Sequence, residues 1–343
     1  MRLPGGLNVS AARRLLAALV LALASAFAPP VLAEPPKGIF VAYGRALNDR
    51  ILRAPYLAGV LVRTRWNEAE PQEGRYDWSY LRREIALAKQ YGKKIALGVA
   101  AGPATPDWVY AAGATAYNFS FLNPHSPRGG MQARIPPPWD PVYLEKWRNF
   151  VRALGREFGN DPDIVLIHIT GSSKNGFEIQ LPDDPPRPRS GPPSGPWVQQ
   201  GYDRARFLRA WESVIDTFAQ AFPRQYLDLD MHAILGDTSV PADLADYGYD
   251  RLGKRFGTFA GWLSNKPPTW DSDLRKIMQK QCRRSFCNYQ LIANETRQSQ
   301  RLGPGGLKGA IQTGRAHGAH YFEVWEADVK NPALDDMLSN VLK

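Results

Sequence analysis

GVLVRTRWNEAEPQEGRYDWSYLRREIALAKQYGKKIALGVA, residues 59–100, holds one full period of the pattern that organises this chain. Gly59–Thr64 and Lys94–Ala100 are short apolar runs of strand type, and Trp78–Tyr91 between them reads as a helix. Asp77 stands at the position of an N-cap, and Gly92 falls where a helix stops. Strand, helix, strand with no tight hairpin signal calls for parallel strands joined by a crossover helix.

The same alternation runs outward in both directions. Strands are expected at Gly38–Tyr43, Gly59–Thr64, Lys94–Ala100, Ile164–Thr170, Tyr226–His232, Gly257–Leu263, Tyr289–Glu295 and Ala319–Glu326, eight in all. Runs such as IVLIHI (164–169) place apolar side chains at successive positions, as strands covered on both faces do. Further helices are expected at Tyr143–Phe158, Tyr202–Phe222, Asp243–Lys254, Asp271–Gln281 and Gly306–His317. Eight βα units predict a (β/α)₈ TIM barrel, which takes about 250 residues and leaves roughly 60 for loops. Two loops are long. Gly102–Asp140, after strand three, carries TPDW, His125 and IPPPW; Pro182–Pro196, after strand four, contains seven prolines. Both leave strands at their C-terminal ends, where such a barrel builds its chemistry.

Residues 1–33 read as a signal peptide: Arg2, Arg13 and Arg14 precede the run LLAALVLALASAFA, and Val31 and Ala33 suit a cut before Glu34. The expectation is one exported domain over 34–343, periplasmic or secreted, monomeric and without a membrane anchor. Loss of the leader takes three arginines and no acidic residue from the formal +10, leaving +7. Such a balance suits an anionic polysaccharide or a membrane surface; the plainer account is a basic exported protein with solvated arginines. Cys282 and Cys287, the only cysteines, are expected to close a local disulfide in an oxidising compartment.

Glu178, in IVLIHITGSSKNGFEIQLP, leads out of strand four, and Glu295, in NYQLIANETRQSQ, is placed at the end of strand seven. Two carboxylates facing each other across a barrel mouth make an acid and its partner. Arg63, at the end of strand two, is expected near Glu295, where its charge would favour the ionised carboxylate. Phe177 and the proline-rich loop would cover Glu178 and favour its protonated form. Glu323 and Glu326 flank Trp325 on strand eight, and alternation lets only one of them face inward; Glu323 is the candidate. His232 beside Asp230 is placed to touch a substrate hydroxyl, and Trp325 and Trp108 are the candidates to stack on a ligand. No spacing of His, Cys and carboxylates reads as a metal site, and no phosphate loop or dinucleotide fingerprint occurs. No cofactor is expected, and nucleic-acid binding has only the basic balance behind it.

The run 59–108, ending in TPDW, resembles the second and third βα units of clan A retaining glycoside hydrolases: a strand ending Arg-x-x-Trp, then Pro-x-x-Gly-x-Tyr-Asp-Trp, then a strand leading to Pro-x-Trp. YFEVWEAD (321–328) resembles their strand eight. The resemblance implies a (β/α)₈ barrel acting on a carbohydrate. It implies an acid/base glutamate after strand four, taken as Glu178, and a nucleophile at strand seven, taken as Glu295. The chain departs from the family at strand four, which ends HITGSSKNG where those enzymes carry Asn-Glu. That departure sustains an alternative: a non-catalytic carbohydrate-binding barrel that has lost the acid. A periplasmic solute-binding protein would need two lobes, and the chain shows no mid-chain break.

Overall fold

The computed structural model describes residues 34–44, 46–121, 129–182, 195–266 and 272–343. The leader, His125 and most of the proline-rich loop therefore lie outside the described residues. Pro35–Lys343 forms one compact unit. Its centre is a closed barrel of eight parallel strands: β1 (Gly38–Ala42), β2 (Leu57–Arg65), β3 (Lys94–Ala100), β4 (Ile164–Ile169), β5 (Tyr226–Asp230), β6 (Phe256–Leu263), β7 (Phe286–Leu291) and β8 (Tyr321–Trp325). Each pairs with its sequence neighbours, and β1 closes the ring against β8 with Gly38 opposite Tyr321 and Ala42 opposite Trp325.

Six long helices make the crossovers: α1 (Ser79–Gln90), α2 (Pro141–Phe158), α3 (Arg204–Ala221), α4 (Ser239–Leu252), α5 (Ser272–Arg284) and α6 (Gly306–Ala316). Their starts follow capping chemistry. Asp140 and Asp203 accept the Tyr143 and Arg206 amides with Pro141 at the first position of α2, while the Asp77 carboxylate takes the Ser79 amide at α1. Among the described residues no helix is long and apolar enough to cross a membrane. The loop after β3 is not structureless: it contains a short antiparallel pair, Tyr117–Ser120 with Gln132–Ile135. Cys282 and Cys287 form a disulfide between the end of α5 and β7.

Strand seven differs from its expected span. It begins at Phe286 and stops at Leu291, so Glu295 lies four residues beyond it, on a single turn, Glu295–Gln298, capped by Asn294. The inward side chains Asn288 and Gln290 are polar, so the expected span Tyr289–Glu295 catches the second half of the strand and overruns its end.

Barrel filling is layered. Phe40, Leu61, Ala96, Leu166, Tyr226, Phe286 and Tyr321 pack together as an apolar plug, apart from the larger core between barrel and helices. Two residues further along a strand point the same way. The next layers therefore hold Arg63, His168, Asp228, Asp230, Asn288, Gln290 and Glu323, and polarity rises toward the C-terminal mouth.

Candidate active site

A cavity of about 1090 Å³ opens at that mouth, its wall including Arg63, Arg65, Glu68, Glu178, Gln290 and Trp325. Glu178 reaches it through a tightly built loop. The inward positions of β3 are Ala96, Gly98 and Ala100, and the small side of this strand leaves room for Phe177. A Cβ on Gly98 would stand 2.4 Å from the Phe177 ring. Gly102 and Gly176, both at positive φ, let the loops after β3 and β4 touch backbone to backbone, with the Ala101 amide donating to the Gly176 carbonyl at 3.0 Å. Asn175 then sets the turn: its Oδ1 accepts the amides of Phe177 and Glu178, each at 2.9 Å. Its Nδ2 donates to Glu178 Oε2 at 2.6 Å.

Glu178 lies against the backbone of β6, where a Cβ on Gly261 would come within 2.9 Å of Oε1. Its side chain touches the cavity, yet surrounding protein removes most of its water. Desolvation pushes its carboxyl above the ordinary range; His232 pulls it down, Asp230 pushes it up, and Asn175 opposes the rise. Asp230 is fixed by the Ile179 amide at 3.1 Å and by His232 Nδ1 at 2.7 Å. Ligand-capable atoms of Glu178, Asp230 and His232 fall within 4.8 Å of one another, the one grouping among the described residues that could hold a metal ion. The sequence spacing gave no hint of it, because the three come from two different loops.

Under the cavity floor runs a buried polar network. His168 Nδ1 stands 2.7 Å from Asp228 and Nε2 stands 3.1 Å from Glu323, close enough to ion-pair although off line for hydrogen bonding. Asn288 donates to Asp228, while Gln290 and Tyr321 donate to Glu323, all at 2.6–2.7 Å. Burial pushes the His168 imidazolium down, but the two carboxylates overcome it and hold its pKa at about 10. Desolvation also raises Asp228, which works against the pair. The protonated imidazole is the form favoured by two flanking carboxylates.

The expected site residues separate here. Glu178, Arg63 and Trp325 line the cavity. His232 supports Glu178 from behind, and Glu323, with no exposed surface, sits in the floor network. Trp325 donates its indole N–H to the Leu291 carbonyl and lies 5.8 Å from the Arg63 guanidinium. Glu295 is elsewhere: its Oε2 accepts the Leu307 amide at 2.7 Å, capping α6, and it is not part of the cavity wall. Arg63 faces the cavity floor, and the groups that act on its charge are Glu323, Tyr43, Tyr80 and Glu326 rather than Glu295. Trp108 is outside the cavity wall formed by the described residues: its ring meets Trp66 edge-on and its N–H bonds the Glu70 carbonyl. Asn175, Gln290, Lys174 and Arg301 were missed. Asn175 could have been found as an Asx turn three residues ahead of the acid, and Gln290 by counting alternation from Phe286. Nothing local marks Arg301.

Comparison with known proteins agrees with this architecture. Residues 59–176, about a third of the chain, match the model of the glycoside hydrolase 42 family, described as beta-galactosidase; the match ends two residues before Glu178. Among solved structures, the catalytic domain of a beta-amylase from Paenibacillus polymyxa superposes with a TM-score of 0.62 at 12% identity, covering 91% of this chain and 100% of its own. Xylanase B from Clostridium stercorarium F9 gives 0.50 at 13% identity, over 84% and 85% of the two chains. A beta-galactosidase from Bacillus circulans sp. alkalophilus gives 0.50 at 13%, over 84% and 50%. These neighbours are (β/α)₈ glycoside hydrolases, and at such identities the likeness establishes the shared fold. No curated protein matches the chain.

Proposed function

We propose that the protein is a glycosidase in which Glu178 protonates the leaving oxygen of a glycosidic bond. The observation that carries this is the desolvated Glu178 carboxyl, held by Asn175 on the cavity wall with its pKa raised. A carboxylic acid kept protonated toward neutral pH is what departure of an alcohol requires. The family match and the glycoside hydrolase neighbours support the same class. The placement of Glu295 speaks against its serving as nucleophile. Glu68 is the other carboxylate on the cavity wall among the described residues, so it takes the second role. As the C–O bond breaks and Glu178 gives its proton to the departing oxygen, water attacks the anomeric carbon and yields a proton to Glu68.

One observation favours a second reading, saccharide binding without cleavage. At the end of β7 and just past it the cavity is faced by Gln290 and Ile292, neither of which can attack or stabilise a cationic sugar carbon. Turnover on a panel of oligosaccharides and aryl glycosides separates the two. Glu178→Gln should lower kcat by about 10²–10⁴-fold with folding intact, and least on aryl glycosides, whose good leaving groups need no proton. Undiminished turnover in Glu178→Gln would remove Glu178 from the mechanism. Saccharide binding with no turnover by the unaltered protein would establish the second reading.

A further inference from the structure

We infer that the saccharide bound in this cavity is acidic, a uronic-acid-type glycan whose carboxylates are gripped by Arg63, Arg65, Lys174 and Arg301. This rests on reading the cavity as a saccharide site and names the class of sugar. Among the described residues all four cations line the cavity, against two acids, Glu68 and Glu178, and desolvation drives Glu178 toward its neutral form. Among the described residues none of the four cationic groups is in an ion pair, and none has a further unassigned partner.

Arg63 is the most demanding of them. It stands two residues above Leu61 of the apolar plug, and its side chain makes a single long hydrogen bond, Nη2 to the Tyr43 carbonyl at 3.4 Å. The Trp325 ring flanks it at 5.8 Å. A guanidinium carries five N–H donors in a fixed fork, and enclosure by protein disfavours its charge by more than nearby Glu323 and Glu326 restore. A planar carboxylate from the cavity would satisfy the fork and compensate the charge together.

The chemistry leads to the same conclusion. A sugar carbon gains positive charge as its glycosidic bond breaks. Four cations around a neutral sugar would oppose that change, whereas cations already neutralised by the substrate's own carboxylates would not. Arg65 and Arg301 are exposed at the rim, where they meet the flanking units of a chain, and the basic protein as a whole draws a polyanion toward the mouth.

The test uses the full chain with polygalacturonate, alginate and hyaluronan, each beside its carboxyl-reduced counterpart. Retention in affinity electrophoresis and release of reducing ends are measured for every pair. At least one acidic polymer should be retained and cut, and its reduced form should be weaker by roughly tenfold or more in retention. Added salt should narrow the difference, as should the rim double variant Arg65→Gln/Arg301→Gln, which leaves the buried layers untouched. Arg63→Gln should abolish it. Equal retention and cleavage of acidic and reduced forms would overturn the inference while leaving the glycosidase reading in place. Retention of the acidic form with no cleavage of either would do the reverse. Failure to retain any of the three acidic polymers would also overturn it.

Discussion

A carboxylate is defined by the donors around it, and Glu178 and Glu295 differ in this respect. Glu178 has one strong donor, Asn175 Nδ2, in a place short of water, and so tends to keep its proton. Glu295 accepts the Leu307 amide at the start of α6 and so serves as a cap for that helix. Glu295→Ala should therefore cost about 1 kcal/mol of stability through the lost cap, with saccharide turnover unchanged. Thermal melts and initial rates on the same preparation check both halves. A folded Glu295→Ala protein without turnover would return Glu295 to the chemistry and undo the placement argued above.

Between residue and molecule, the decisive element is the loop that carries Glu178, and it depends on a strand to which it does not belong. Gly98 on β3 leaves the space that the Phe177 ring fills, and Phe177 precedes the acid. Gly98→Val should overpack this contact, costing about 1–3 kcal/mol, and should reduce turnover by displacing Glu178. Trimming the ring in the double variant Gly98→Val/Phe177→Leu should recover part of the lost stability. Strictly additive losses in denaturant titrations would show that the two positions do not share the space. Dependence of this kind explains what was legible in the sequence. The eight strands and six helices could be read because each strand's outer face is apolar against helices, whatever lines its interior. Strand ends near the mouth were less legible, since inward side chains turn polar there before the backbone stops pairing. Polar Asn288 thus hid the first half of β7, and the expected strand slid forward to end at Glu295. Trp108 and Trp325 carry the same ring, and only packing partners around Trp66 distinguish an anchor from a cavity wall.

For the whole molecule, the barrel interior couples stability to pH through His168. Its neighbours Asp228 and Glu323 come from β5 and β8, so the charged cluster ties one side of the barrel to the other across its axis. The folded-state pKa of His168, about 10, lies above the unfolded value near 6.5. A raised pKa means the folded state binds the proton more tightly. The resulting stabilisation is fully present below pH ~6.5 and disappears as pH climbs through about 10. Unfolding free energies of the native chain and of His168→Gln, measured from pH 6 to pH 10.5, should differ most at the acid end and converge toward the alkaline end. The variant is expected to be less stable throughout the acid range, because two buried carboxylates lose their cation. Comparing the difference cancels the tyrosines and lysines that titrate in the same window in both proteins. A gap that stays constant with pH would mean that His168 is neutral in the folded barrel.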